Sequence, residues 1–543
     1  MLTARTRAPE HLLQSARVQA TVTVVALVAM ALVHRAGDGL WFQGDSPRHA
    51  MNGVFWWDLL RAGPAHPIDY ALRYYARYPA LSPATYPPGF YLVEGAAFAL
   101  LGISGPVARG VVLLYAVGAC AYTMAWARRW MAPAAGWAAA LLAVAPTFVL
   151  WSNSVMLNIP ALALTLGTLY HARRWIETAR TRQLALAVGF AIASLGTYYQ
   201  SAGALVICGL WIVMRQREII ARRHLAWMGI LALCGFIPVI AALILAPVQA
   251  LRHLPSVPYL LRLDTWTYYW RELPGITGWP LLALGTTGLA IGVAWREWRR
   301  EAAYLLTWIL VLVMLTPIVT ARDPRYILLV LPAFVLAAVV GVVAVSRRYP
   351  ITPAWRSTAV VTVAVASVMA GGRTRVPVVT GVREVAEFLK DQAPDDALFF
   401  DGDHSGVLVF YVRALDPAFQ RRVVLASKLL YSVGPRATFG TVEQNNVRSP
   451  DEVIRLLRTR AGCRWIAFES ATPGAEPAGR RLLREALSRP DFTLVRSFPM
   501  VGYGAQRIDL YRLEGRLDPV TGVDLEFPGY SSATYPQVVP ITR

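Results

Sequence analysis

Residues 86–101, YPPGFYLVEGAAFALL, decide the topology of the chain. The run is apolar and carries one carboxylate, Glu94, but falls just short of the ~17–25 residues a helix needs to cross ~30 Å of hydrocarbon. Charge arbitrates. If the stretch does not cross, the clusters Arg128/Arg129, Arg173/Arg174, Arg215/Arg217/Arg222/Arg223, Arg296/Arg299/Arg300 and Arg347/Arg348 all fall on one side with the N-terminus. The positive-inside bias makes that side cytoplasmic. If it does cross, every cluster after it is reversed. Residues 86–101 are therefore read as lying in the outer leaflet or dipping into it.

Working outward, further apolar runs lie at about 18–33, 107–127, 133–151, 155–172, 183–199, 201–214, 225–246, 277–294, 302–320, 325–345 and 354–370. They predict eleven transmembrane helices. The first has a basic flank, Arg5, Arg7 and Arg17, and no small-residue cleavage site, so it reads as a retained signal anchor. Composition agrees: of 543 residues 56% are hydrophobic and 16% charged, with mean hydropathy +0.43. Soluble domains carry about a quarter charged residues, which excludes a water-soluble enzyme of this length.

The formal charge is +20, and of the 53 basic residues only Lys390 and Lys428 are lysine. Basic cytoplasmic loops account for the excess, so no nucleic-acid partner is inferred. Cys120, Cys208, Cys234 and Cys463 lack zinc-site spacing, and Cys463 has no partner for a disulfide within its soluble segment.

On this topology the loop 35–106 and everything after 371 face outward. The loop carries Trp41, Phe42, Phe55, Trp56, Trp57, Tyr70, Tyr74, Tyr75 and Tyr78 among polar residues, as helices at a lipid–water boundary do. The loop 248–275 has the same character. After 371 the pattern changes. It predicts helix 382–390, strands 397–401 and 407–412, helix 452–460, strand 464–468, helix 479–488 and strands 492–496 and 507–512. Such alternation marks an α/β domain over 372–515. The polar, proline-rich tail 516–543 is assigned no structure.

Four constellations could carry chemistry. In Gly44–Leu60, GDSPRHAMNGVFWWDLL, Asp45 is followed by Arg48 and His49. A carboxylate there could act as a general base or metal ligand, or simply cap the helix that Pro47 helps to start. Tyr86 and Glu94 belong to the second, where Glu94 is either functional or a solvated interfacial residue. The third, Trp151–Pro160, holds Asn153 and Asn158. The fourth, Ala321–Pro332, ARDPRYILLVLP, sets Arg322 and Arg325 on the outer side, where they either bind phosphate or snorkel to headgroups.

In order and spacing these motifs resemble GT-C membrane glycosyltransferases of the family 39 type, which include protein mannosyltransferases and the lipid A aminoarabinose transferase. The resemblance covers most of residues 18–371. It matches the family's first-loop acidic motif to Asp45-Ser46-Pro47-Arg48-His49-Ala50, its PPL-type segment to Tyr86-Pro87-Pro88-Gly89-Phe90, and its late Arg-Tyr element to Arg325-Tyr326-Ile327-Leu328 with Pro332 following. Ser46 stands where a second acid is usual, Asn158 replaces an acid, and Gly196–Gln200 lacks the usual lysine.

The resemblance implies a polytopic α-helical membrane protein with interfacial helices and a C-terminal α/β soluble domain. It implies an inverting enzyme moving a sugar from a polyprenyl-phosphate donor to a lipid, polysaccharide or protein acceptor on the outer face. Asp45 would be catalytic. Arg48, Arg322, Arg325 and Tyr326 would hold the donor phosphate, and His49, Tyr86, Glu94 and Asn158 would contact substrate. No cofactor is required; without the second acid, a divalent metal has weak support. The rival reading is a non-catalytic membrane component that binds lipid-linked glycan in an export or assembly system.

Overall fold

The computed structural model describes residues 39–41, 45–83, 85–130, 135–215, 255–349, 372–393, 396–435, 441–470, 476–502, 506–524 and 538–540, with isolated positions and one pair elsewhere. The runs 18–33, 225–246 and 354–370 lie almost wholly outside the described residues. Among the described residues three helices are long and apolar enough to cross a membrane: Gly105–Ala127, Arg299–Ile318 and Pro324–Arg348. Two bent pairs bring the number to five if each is one span. They are Ala135–Val144 with Pro146–Ser152, bent by 69°, and Leu263–Thr277 with Trp279–Ala294, bent by 113°. Pro146 and the positive-φ Gly278 stand at the breaks, where a lost N–H or a left-handed backbone ends a helix. The decisive stretch forms a helix of 13 residues, Gly89–Leu101. At ~1.5 Å per residue that is about 20 Å.

Packing divides the chain into two compact units, one of Met1–Arg35, Ala84–Phe90 and Arg109–Val376, the other of Ala36–Pro83, Tyr91–Ala108 and Pro377–Arg543. In the first unit, helices Trp279–Ala294 and Leu331–Arg348 meet through glycine. A Cβ at Gly288 would fall 2.0 Å from the Ala337 carbonyl oxygen, so only glycine permits this approach. Nearby, Trp126 packs against Trp308 and Trp211 at 5.7 and 6.0 Å between ring centroids, and the Trp308 indole donates to the Leu329 carbonyl. A buried indole N–H needs such a partner.

The second unit contains a five-stranded sheet in the order Val423–Leu425, Ala397–Asp401, Cys463–Glu469, Arg507–Leu513, Phe492–Pro499. The first three run parallel, and Arg507–Leu513 runs antiparallel to both of its neighbours. The helices Val382–Lys390, Pro450–Leu456 and Ala478–Leu487 match the alternation read from sequence. Residues 407–412 do not form the expected strand; they lie in helix Ser405–Ala414. Ala397–Asp401 and Val423–Leu425 are parallel neighbours, and a parallel pair requires a crossover, here that helix. Residues 407–413 are all buried, so the helix shows no polar face from which to read its period. The tail also contains structure: Gly522–Asp524 pairs antiparallel with Val538–Pro540.

This division differs from the expected 1–371 domain with the loop 35–106 inside it. Residues 36–83 belong with 377–543. Strand Leu40–Trp41 pairs with Val378–Val379, and Asp58 is ion-paired to Arg413.

Candidate active site

Helix Asp45–Ala62 opens on DSPR, with Asp45 in its first turn, where a carboxylate is favoured by the helix dipole, and Pro47 just inside. Asp45 Oδ1 lies 3.6 Å from Arg48 Nη1, and the two side chains are 31% and 47% exposed. Positions 45, 49 and 53 follow at intervals of four and share one helix face. His49 is buried, its Nδ1 2.7 Å from the Tyr91 hydroxyl, with the two rings stacked at 5.9 Å. One turn beyond Tyr91 comes Glu94, fully buried, and neither carboxyl oxygen has a hydrogen-bond partner among the described residues. Its space is made by Gly53, where a Cβ would stand 2.3 Å from Glu94 Oε2. The structure thus brings His49 and Glu94 onto neighbouring positions of one helix pair. Glu94 is not the solvated interfacial residue that one reading of the sequence allowed.

The first unit assembles Asn158, Tyr86, Arg322, Arg325 and Tyr326. Asn158, the first residue of helix Asn158–Thr178, donates through Nδ2 to the Arg325 carbonyl at 3.3 Å. The Arg325 guanidinium sits 3.2 Å from Asp323 Oδ2 and faces the rings of Tyr326 and Trp151 at 5.5 and 5.8 Å. Tyr86 packs on Tyr198 at 5.9 Å, and the Gly89 amide donates to the Gly196 carbonyl at 2.7 Å. Tyr198 in turn lies within electrostatic reach of Tyr326, Arg325 and Asp323. Arg322 is ion-paired to Asp264, donates to Thr265 Oγ1 at 3.0 Å and to the Tyr259 hydroxyl at 3.3 Å, and faces the Tyr259 ring at 5.2 Å.

Sequence reading missed Asp264 and Arg271, themselves ion-paired two turns apart on helix Leu263–Thr277. It took 248–275 as aromatic interfacial sequence; the Asp264–Arg271 spacing, one helix face across two turns, was the available signal. Arg271 and Arg322 are paired to Asp264, and Arg325 to Asp323. Also in this unit, Trp270, Leu273, Trp279, Leu282, Ile309 and Phe334 are among the residues lining an apolar groove of about 450 Å³. Among the described residues no three His, Cys, Asp or Glu side chains converge as a metal site.

The C-terminal domain holds a separate polar network at the carboxyl ends of its adjoining parallel strands. His404 Nδ1 lies 2.8 Å from Glu469 Oε1, and Tyr431 donates to Asp401 at 2.5 Å, with Arg480 beside it. Burial pushes Asp401 up to about 6. Asp401, His404, Glu469 and Arg480 are each at most 4% exposed, which places them in the domain interior.

No protein-family model matches the sequence, and no curated protein matches it. Solved structures do match its fold. The crystal structure of ArnT from Cupriavidus metallidurans bound to undecaprenyl phosphate superposes with a TM-score of 0.59 at 16% identity, covering 93% of this chain and 100% of that one. The apo Archaeoglobus fulgidus oligosaccharyltransferase gives 0.52 at 10% identity, over 84% of this chain and 70% of that one. The mycobacterial arabinofuranosyltransferase AftD gives 0.50 at 15% identity, over 92% and 42%. The chain has the GT-C fold of the membrane glycosyltransferases.

Proposed function

We propose that this protein is an integral membrane glycosyltransferase that moves a hexose or pentose from a polyprenyl-phosphate donor to a hydroxyl of a lipid, polysaccharide or protein acceptor, with inversion. One observation carries the reading: a half-buried carboxylate, Asp45, opens the first-loop helix of a chain with this fold. A carboxylate in the first turn of a helix, beside an arginine, is placed to act as a general base on a hydroxyl.

In the proposed step the acceptor hydroxyl oxygen attacks the anomeric carbon and passes its proton to Asp45. The bond from that carbon to the phosphate oxygen breaks, and polyprenyl phosphate leaves with the electron pair. Arg322 and Arg325, with Tyr326 and Arg48, are assigned to the phosphate, whose leaving charge needs preorganised donors. His49, Tyr86, Glu94 and Asn158 are assigned to substrate. The apolar groove suits an isoprenoid tail. The N-terminus is placed in the cytoplasm and the residues after 371 outside, with eleven helices between.

Purified protein given a polyprenyl-phosphate sugar and an acceptor extract should release free polyprenyl phosphate. Donor that binds and is recovered intact would instead identify a non-catalytic glycan-binding component.

A further inference from the structure

Within the second unit one ion pair ties the first-loop helix to the outer domain. Asp58, on helix Asp45–Ala62, and Arg413, on helix Ser405–Ala414, have side chains 3% and 4% exposed. Arg413 Nη2 lies 2.7 Å from both Asp58 oxygens, and Nε lies 3.0 Å from Oδ2. Tyr74 donates to Asp58 Oδ2 at 2.7 Å, and Tyr78 donates to Asp416 Oδ2 at the same distance. Arg413 Nη1 donates to the Asp416 carbonyl at 3.1 Å, and the guanidinium stacks 4.0 Å from the Phe419 ring. Phe419 has φ +57, and its carbonyl accepts from Arg77. A bulky side chain in the left-handed region is strained, and such strain persists only where the surroundings impose it.

The cost of this arrangement is visible. Burial pushes the Asp58 carboxyl above its ordinary range, against the pull of Arg413 and Tyr74. Replacing a buried pair by apolar residues is often neutral or stabilising, so stability alone is a weak reason to keep it. A bidentate fork does, however, fix orientation in a way that apolar contact does not. Asp58 lies 13 positions, between three and four turns, beyond Asp45 on the same helix. Gly406 of the partner helix also lies against Pro47, two residues from Asp45; a Cβ there would be 3.0 Å from the Pro47 Cβ.

We infer that Arg413 is a positioning residue: through Asp58 the outer domain sets the register and angle of the helix that presents Asp45. The inference rests on the glycosyltransferase reading for its effect on rate. Its structural half stands apart from that reading.

The test compares full-length wild type with Arg413→Lys and with the double variant Asp58→Leu/Arg413→Met, in lipid nanodiscs. Lysine keeps the charge and loses the fork; the double variant removes the pair without stranding a buried charge. Positioning predicts a melting temperature near that of wild type in the double variant. It also predicts kcat lower by about 10²-fold, the scale of a ~1 Å misplacement, with donor KM within about twofold. Hydrogen exchange should quicken over residues 45–62 and stay unchanged over 397–401 and 463–469. Wild-type kcat and wild-type protection of 45–62 in the stably folded double variant would overturn the inference. So would an equal loss of protection across helix and sheet, which would make the pair a general support. If wild type itself shows no turnover, the enzyme reading fails, and the exchange pattern still decides whether Arg413 holds the helix.

Discussion

Gly53 and Glu94 illustrate what the sequence shows of a site and what it withholds. Asp45, Arg48 and His49 are legible because they crowd into five positions beside an aromatic stretch. Glu94 is conspicuous as the one carboxylate of an apolar run. That Gly53 makes its room is not legible, because the contact joins residues 41 apart and glycine leaves no pattern. Gly53→Ala should therefore cost about 1–3 kcal/mol, the usual range for overpacking, read as a lower melting temperature. Glu94→Ala should restore it in the double variant, since the added methyl then has space. A single Gly53→Ala protein as stable as wild type would contradict the packing described. The pairing of His49 with Tyr91 was hidden for the same reason: neither position has a sequence signal for its partner.

Elements were read where period and length agreed. Val382–Lys390 and Ala397–Asp401 have the bounds that the amphipathic and apolar patterns give them. Helix Ser405–Ala414 was misread because burial on every side erases the helical period; the parallel pairing on either side of it was the deciding constraint and is tertiary. Helix ends matter equally for Arg322 and Arg325. They stand at the Pro324 end of Pro324–Arg348, while Arg347 and Arg348 stand at the other end, over Trp298 and Trp295. Replacing Arg322 and Arg325 with Ala should weaken binding of a polyprenyl-phosphate sugar by at least tenfold, the loss of one charge-assisted phosphate contact of roughly 1.5–3 kcal/mol. Replacing Arg347 and Arg348 should leave it within about twofold. Equal losses at both ends would assign the outer pair to topology alone. Asp264 competes for Arg322, so Asp264→Asn should strengthen donor binding rather than weaken it.

For the whole molecule, apolar composition and long runs revealed a membrane protein, and order and spacing of motifs revealed the GT-C fold. The grouping of residues 36–83 with the C-terminal domain was not readable, because it rests on contacts such as Asp58 with Arg413, 355 positions apart. Topology depends on the arginine clusters, and one of them counts for less than it appeared. Arg173 is 1% exposed and ion-paired to Glu177 and Glu301. A reporter active only outside the cytoplasm should work when fused after residue 371 and fail when fused at Arg222. The reverse result would mean that 86–101 crosses. The central claim concerns chemistry at Asp45, and Asp45→Asn tests it most directly, because asparagine can still start the helix but cannot take a proton. In purified protein with unchanged melting temperature, release of polyprenyl phosphate should fall by about 10²–10⁴-fold, the usual worth of a general base. A variant that keeps most of the wild-type rate would contradict the account.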